Sequence, residues 1–312
     1  MPLSVLLAEP LTPEASGAAE RFLTDLREPD SETTRAPAAA IAATVAASIG
    51  IEPERVAIAP GSVTLMAVDE AGDTAPAMVN VDPADPLRTG ARGARRLYLV
   101  RHGEADTPDA EGRLHSHVPL PLTARGRTQA AALCEAFAPV AADVVHASDI
   151  ARTAETAGAL AGARPVRLHA GLRELSLGSL EGAHEDDILA AAPGFLLDPD
   201  AKLPEGESIR EVGVRAGAAV DRILADQDGT GDVVVVAHGG VNRSLLGHLL
   251  GLPLDRAVRV RQDWAGVNVF EWTGSAWQIL VLNWTPEGLA ELDQAHRTRH
   301  LHERAQDDGP PR

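Results

Sequence analysis

The chain has 312 residues, enough for one large domain and an extension, and 45% of them are hydrophobic, which excludes a disordered polymer. A formal net charge of -17 argues against nucleic-acid backbones and anionic membranes as general partners, so any arginine cluster needs a local cause. The single cysteine, Cys134, cannot close an internal disulfide and reads as a small core residue.

In chain order, residues 3 to 7 suit a strand, Pro13 to Arg27 an acidic amphipathic helix, and Glu28 to Thr34 a polar loop. Pro37 sits at the first turn of an Ala-rich helix that ends near Ile49-Gly50. Ser62 to Val68 and Ala77 to Val81 read as strands, and Asp82 to Gly93 as a linker. From Arg96 onward strands and helices alternate. Strands are expected to Val100, around Val144 to His146, and over Val233 to Ala237, Val267 to Trp272 and Trp277 to Leu282. Helices are expected over Thr123 to Ala138, Ile150 to Ala161, Ile209 to Asp226 and Ser244 to Leu250. Such alternation predicts an α/β fold, a three-layer α/β/α sandwich around a mostly parallel sheet. The expected parts are an N-terminal α/β extension over 1–90, a main domain over 91–295 and a polar tail over 296–312. The first ten residues lack the basic start of a signal peptide, and Ala36 to Ile49 is too short and too weakly apolar to span a bilayer. A cytoplasmic protein without a membrane partner is the expectation.

Two runs carry the chemistry. Leu97-Tyr98-Leu99-Val100 delivers Arg101-His102-Gly103-Glu104 at a strand's carboxyl end, and Val233-Val234-Val235-Val236-Ala237 delivers His238-Gly239-Gly240. In open α/β sheets ligands bind outside those ends. Phosphoryl transfer needs a nucleophile, a proton for the leaving oxygen, and positive charge on the equatorial oxygens. His102 is the natural nucleophile, Arg101 and Arg152 the bidentate donors, and His238 a second imidazole donor. The two arginines also disfavour a protonated His102. No carboxylate cluster has magnesium-ligand spacing, so positive charge is expected from the protein, with neither metal nor cofactor. His115 and His117 lack a third ligand at metal spacing. Among the carboxylates Glu104, Glu174 and Glu181, the residues alone do not select an acid.

Further blocks follow in order: Pro121-Leu122-Thr123-Ala124-Arg125-Gly126, Ala147-Ser148-Asp149-Ile150-Ala151-Arg152, Leu172-Arg173-Glu174-Leu175-Ser176-Leu177-Gly178-Ser179-Leu180-Glu181-Gly182, and Pro204-Glu205-Gly206-Glu207-Ser208. With the two strand-His-Gly runs, residues 96 to 287 resemble the histidine phosphatase (phosphoglycerate-mutase-like) superfamily, on its phosphatase branch. The resemblance implies that His102 becomes phosphorylated, that Arg101, Arg152, His238 and Gly239 bind the phosphate, and that Glu174 donates and later accepts the proton. Glu104, Arg113 and Arg243 are candidate substrate contacts, while Glu207-Ser208 reads as a helix cap. The implied activity is that of a histidine acid phosphatase-type phosphoric monoester hydrolase acting on a small phosphorylated metabolite. The alternatives are a mutase and a catalytically silent binding or scaffold protein. Mutases of this kind carry a long insertion after the Glu-Gly block, and only a short Ala-, Asp- and Leu-rich segment separates Gly182 from Pro204 here. Members commonly have Thr and then Asn after Arg-His-Gly-Glu. Here stand Ala105 and Asp106-Thr107-Pro108-Asp109, and a carboxylate at Asp109 would repel phosphate unless its loop turns away. A homodimer is left open.

The first ninety residues carry none of these motifs but echo later ones. Gly50 to Arg55 parallels Gly251 to Arg256, Gly61 to Leu65 parallels Ala265 to Val269, and Val79-Asn80-Val81 parallels Leu282-Asn283-Trp284. This suggests a degenerate copy of the last third of the main domain, a helix and two strands lacking the His-Gly strand, packed on that domain or on another subunit.

Overall fold

The computed structural model describes residues 3–9, 32–59, 62–68, 74–82, 85–87, 95–195, 198–227, 231–257 and 260–287. The expected helix at Pro13 to Arg27 and the polar tail lie outside these residues. The described elements are β1 (Leu3–Glu9), β2 (Glu32–Pro37), α1 (Ala38–Ile49), β3 (Val63–Val68), β4 (Thr74–Val81), β5 (Arg96–Arg101), α2 (Ala124–Ala136), β6 (Val145–Ser148), α3 (Ala151–Ala161) and β7 (Val166–His169). They continue with α4 (Glu185–Ala191), α5 (Ile209–Ala225), β8 (Val233–Ala237), α6 (Gly239–Leu250), α7 (Leu254–Ala257), β9 (Val267–Trp272) and β10 (Trp277–Trp284).

All ten strands form one sheet in the order β2-β1-β3-β4-β10-β9-β5-β8-β6-β7. Strands β5, β8, β6 and β7 are parallel, as alternation with helices requires. The expectation of a mostly parallel sheet needs correction beyond them. β9 and β10 form a hairpin, and β3 and β4 form another, so the ladder from β1 through β5 is antiparallel and the sheet as a whole is mixed. Chain length explains it, because only five residues separate β3 from β4 and four separate β9 from β10, whereas a parallel pair needs a long crossover.

Leu97 to Val100 and Val233 to Ala237 are fully buried, as strands covered on both faces must be. Helices α1, α5 and α6 share one apolar core with one face of the sheet. Helices α2 and α3 share another with the opposite face, which completes three layers. Truncating Leu99 to Ala in this interior would cost about 2–5 kcal/mol. Local signals set the helix starts. Thr123 Oγ accepts from Gly126 N at α2, and Ser208 forms a reciprocal capping box with Glu211 at α5.

Five elements differ from the sequence expectation. Glu32–Pro37, of which Glu32 to Thr34 read as loop and Pro37 as a first helical turn, is a strand parallel to β1, although no apolar run marks it. β7 is an edge strand with exposed Arg167 and Leu168, and α4 and α7 are short helices; none of the three was expected. Helix α6 begins at Gly239, not Ser244, because Glu174 accepts from Gly240 N in its first turn and tertiary packing overrides the poor helix propensity of Gly239-Gly240.

Candidate active site

Strand register brings the site together. β5 and β8 pair in parallel with Arg101 opposite Ala237, so the next residues, His102 and His238, leave the sheet side by side. Their ring centroids are 5.1 Å apart. The backbone here is fixed by His102 N donating to Ala237 O at 3.1 Å, Ala265 N to His102 O at 3.0 Å, and Arg101 N to Gly266 O at 2.8 Å. Gly103 turns the chain away against α2, where a Cβ would meet Gly126 O at 2.5 Å.

The His102 ring has a defined tautomer. Its Nδ1 lies 2.8 Å from Gly103 O, which can only accept, so Nδ1 carries the proton and Nε2 keeps its lone pair. That lone pair accepts from Arg152 Nε at 3.2 Å. Burial, followed by the charges of Arg152 and Arg101, holds His102 well below the ordinary imidazole range. The ring therefore stays neutral and nucleophilic.

Arg152, 1% exposed, is held by Ser116 O at 2.7 Å and Val118 O at 3.4 Å. Arg101 donates through Nη1 to Gln262 O at 2.6 Å and stacks on Trp264, its guanidinium carbon 3.6 Å from the ring centroid. Burial first, then the nearby Arg243, push Arg101 down to about 9. Arg243 is itself lowered by burial, and its Nε donates to Val260 O. His238 pairs through Nε2 with Ser148 Oγ at 2.9 Å, while its Nδ1 is buried with no partner among the described residues. Ser148 Oγ accepts from Ile150 N, and when its hydroxyl hydrogen points to His238 Nε2 the Nδ1 of that ring is a donor. Burial and then His102 lower His238 as well.

Glu174 faces this cluster. Its carboxylate accepts from Gly240 N at 3.1 Å and Leu175 N at 2.9 Å. Its carbonyl is gripped by His117 Nε2 at 2.7 Å and Arg215 Nη2 at 2.9 Å. Glu207 pairs with Arg215, whereas Ser208 joins Glu211 in the helix cap. Gly239 and Gly240 make room: a Cβ on Gly240 would lie 2.5 Å from Glu174 Oε1, and one on Gly239 would lie 3.4 Å from Arg101 Nε.

The structure thus gathers Arg101, His102, Arg152, Glu174, His238, Gly239 and Arg243. It does not gather the other two candidates. Glu104 accepts from Thr123 Oγ1 at 2.7 Å beside α2, and Arg113 lies on the surface near Glu111. Asp109 turns away as its charge demands, accepting from Glu111 N and Arg113 N and pairing with His115. His115 and His117 therefore serve different partners. Trp264 and Ser148 escaped sequence reasoning. A lone tryptophan ahead of Ala265-Gly266 in a chain with 3% aromatics was the available signal for the first.

Three guanidinium groups, two neutral imidazoles and one carboxylate can bind an anion, attack it through Nε2 and supply a proton. A model of the histidine phosphatase superfamily (branch 1) matches residues 97–285. The chain is 32% identical over 204 residues to the "Probable phosphoglycerate mutase GpmB" of Enterobacter sp. (strain 638), spanning 63% of this chain and 93% of that one. It is 35% identical over 173 residues to the glucosyl-3-phosphoglycerate phosphatase of Mycolicibacterium vanbaalenii, spanning 52% and 76%. Among solved structures, mycobacterial glucosyl-3-phosphoglycerate phosphatase aligns with TM-score 0.56 and 29% identity over 62% of this chain and 100% of its own. The alpha-ribazole phosphatase of Shigella flexneri aligns with TM-score 0.55 and 27% identity over 63% and 98%.

Proposed function

The chain belongs to the histidine phosphatase superfamily, and from that premise we propose that it is a phosphomonoesterase working through a phosphohistidine at His102 Nε2. The observation that carries this reading is the Nε2 lone pair, fixed by the Nδ1 contact to Gly103 O and lying under Arg152 Nε. A phosphate there would take over the Arg152 donor and meet Arg101, Arg243 and His238 Nδ1. Nε2 forms the N–P bond as the bond from phosphorus to the leaving oxygen breaks, and protonated Glu174 gives that oxygen its proton. Water then attacks phosphorus and passes a proton to Glu174. The N–P electron pair returns to Nε2, and inorganic phosphate leaves. The positive charge on the equatorial oxygens comes from arginines, the role a metal fills in other phosphoryl-transfer enzymes.

Relatives include a mutase as well as phosphatases, so both outcomes of the same intermediate deserve weighing. The segment after Gly182 favours hydrolysis: it folds into α4 and packs Ile188, Ala192 and Phe195 against Leu177, Leu203 and Ile209 as a compact lobe. The substrate class is a small phosphomonoester, and the hydrolase would be of the histidine acid phosphatase type. Brief incubation with labelled aryl phosphate should yield an acid-labile phosphoprotein and free phosphate, both abolished in His102→Ala. Wild-type turnover in His102→Ala refutes the mechanism. Isomerisation of phosphoglycerate faster than phosphate release would favour the mutase instead.

A further inference from the structure

The N-terminal elements repeat the connectivity around the active site. β1 pairs in parallel with β2 and antiparallel with β3, as β5 pairs with β8 and β9. β2 leads straight into α1 as β8 leads into α6, and both helices end on a left-handed glycine, Gly50 at φ 76° and Gly251 at φ 67°. A hairpin follows each helix. Antiparallel β4 and β10 then meet with Val79 opposite Leu282, which is what a twofold axis through the sheet requires.

Hydrogen bonds match pair by pair. Asn80 and Asn283 both adopt positive φ, 58° and 54°. Asn80 Oδ1 accepts from Ala59 N at 2.8 Å, and Asn283 Oδ1 from Asp263 N at 2.7 Å. Asn80 N donates to Thr64 Oγ1 and Asn283 N to Asn268 Oδ1. Each side-chain amide crosses the seam, Asn80 Nδ2 to Leu280 O and Asn283 Nδ2 to Ala77 O. Ser62 N bonds Ala59 O as Gly266 N bonds Asp263 O, and Ala8 N bonds Ser62 O as Arg101 N bonds Gly266 O.

We propose that residues 3–81 are an inactivated half-copy of the phosphatase sheet whose working role is to brace the active-site loop 262–266 across the β4–β10 seam, with Asn283 as the positioning residue. The shared register sets Ala8 at the place of Arg101, Glu9 at that of His102 and Pro37 at that of His238, so the copy has lost the phosphate chemistry. It also fills the place of the His-Gly strand, with β2, where the sequence suggested that strand was missing. The brace runs through few atoms. Ala77 O holds Asn283 Nδ2, which also reaches Asp263 Oδ2 at 2.9 Å, and Asn283 Oδ1 holds Asp263 N. Next to Asp263 stand Gln262, whose carbonyl binds Arg101, and Trp264, which stacks on Arg101 and lies 4.9 Å from the His102 ring. A loosening of this loop by a fraction of an ångström would misplace both phosphate-site residues.

The symmetry supplies its own control. Glycine suits positive φ, so Asn283→Gly and Asn80→Gly delete the matched side-chain bonds without backbone strain, and Asn283→Gly also removes the bond to Asp263 Oδ2. Both should lower Tm by similar amounts. Only Asn283→Gly should lower kcat/KM on an aryl phosphate, by about tenfold or more, and weaken the Tm rise given by vanadate; Asn80→Gly should stay within about twofold. Equal kinetic effects, or a larger effect from Asn80→Gly, overturn the proposal. Should Asn283→Gly fail to fold, Asn283→Asp and Asn80→Asp replace the pair with the same expected order. The kinetic arm rests on the phosphatase reading, but the vanadate arm reads the anion site directly. An inactive wild-type protein that still shows the asymmetric vanadate response would sink the reading and leave the brace standing.

Discussion

Arg152 is the residue on which the proposed chemistry depends most, and two substitutions separate its charge from its shape. Its guanidinium spans three acceptors at once: Ser116 O, Val118 O and His102 Nε2. Arg152→Lys keeps a positive charge, but a single ammonium cannot hold the two carbonyls and also present a flat, forked donor to phosphate. Losing one such donor aimed at the transferring group costs about 2.7–4 kcal/mol, a fall of roughly 10²–10³ in kcat. Arg152→Met removes the charge as well. His102 is lowered first by burial and then by Arg152 and Arg101, so losing Arg152 should raise it, though burial keeps it below the free imidazole value.

The sign follows directly. A lowered imidazole stays unprotonated as pH falls, so the acidic limb of kcat/KM lies below about 6.5 in the wild type. That limb should stay put in Arg152→Lys and move upward in Arg152→Met, read from kcat/KM on an aryl phosphate between about pH 4 and 8. Melting curves serve as the control, since an unpaired buried Ser116 carbonyl costs about 1–3 kcal/mol of stability. An Arg152→Met enzyme within about threefold of wild type, or one whose acidic limb does not move, refutes the reasoning.

If Glu174 supplies the leaving-group proton, Glu174→Gln should slow poor leaving groups far more than activated aryl phosphates; equal losses would make it a support for the α6 start, where it accepts from Gly240 N. Gly240→Ala would drive a methyl to 2.5 Å from Glu174 Oε1 and should mimic the Glu174 defect in kinetics, with a loss confined to Tm as the contrary result. Stability should fall as pH drops from about 7 to 5, because buried histidines lowered in the fold take up protons more readily when unfolded. His146, lowered by burial and His169 to about 4, contributes to this, so His146→Leu should flatten the Tm slope; an unchanged slope counts against it.

The parts of the site legible in the sequence are those where covalent order fixes geometry. Leu97 to Val100 and Val233 to Ala237 had to be central strands, and a parallel pair necessarily sets His102 beside His238. Arg152 was readable as a donor from its chemistry, whereas Glu174 came only with the motif blocks, since nothing local says that a loop carboxylate reaches the pocket. Trp264 was hidden for a similar reason: its role exists only where the β9 approach crosses β5. β2 escaped because Glu32-Thr33-Thr34-Arg35 shows neither alternation nor an apolar run, and its strand character comes from pairing with β1. The Asn80 and Asn283 parallel was visible as letters, but their positive φ and crossed amides are properties of the folded seam.

The charge arrangement poses a further question of balance. Buried Arg152 and half-buried Arg101 and Arg243 crowd one patch, and burial lowers all three, which marks the cluster as electrostatically costly. Glu174 and Asp263 offset part of that cost and no more. Under the proposed reading a dianionic phosphate complements this patch, so binding one should offset the repulsion among the three guanidinium groups. Yet the chain as a whole carries -17, and at long range it repels the same dianion. Attraction therefore acts only within about a Debye length of the pocket, roughly 8–10 Å at physiological salt. On the proposed reading selectivity comes from close contacts and not from steering, so added salt should weaken anion binding only modestly.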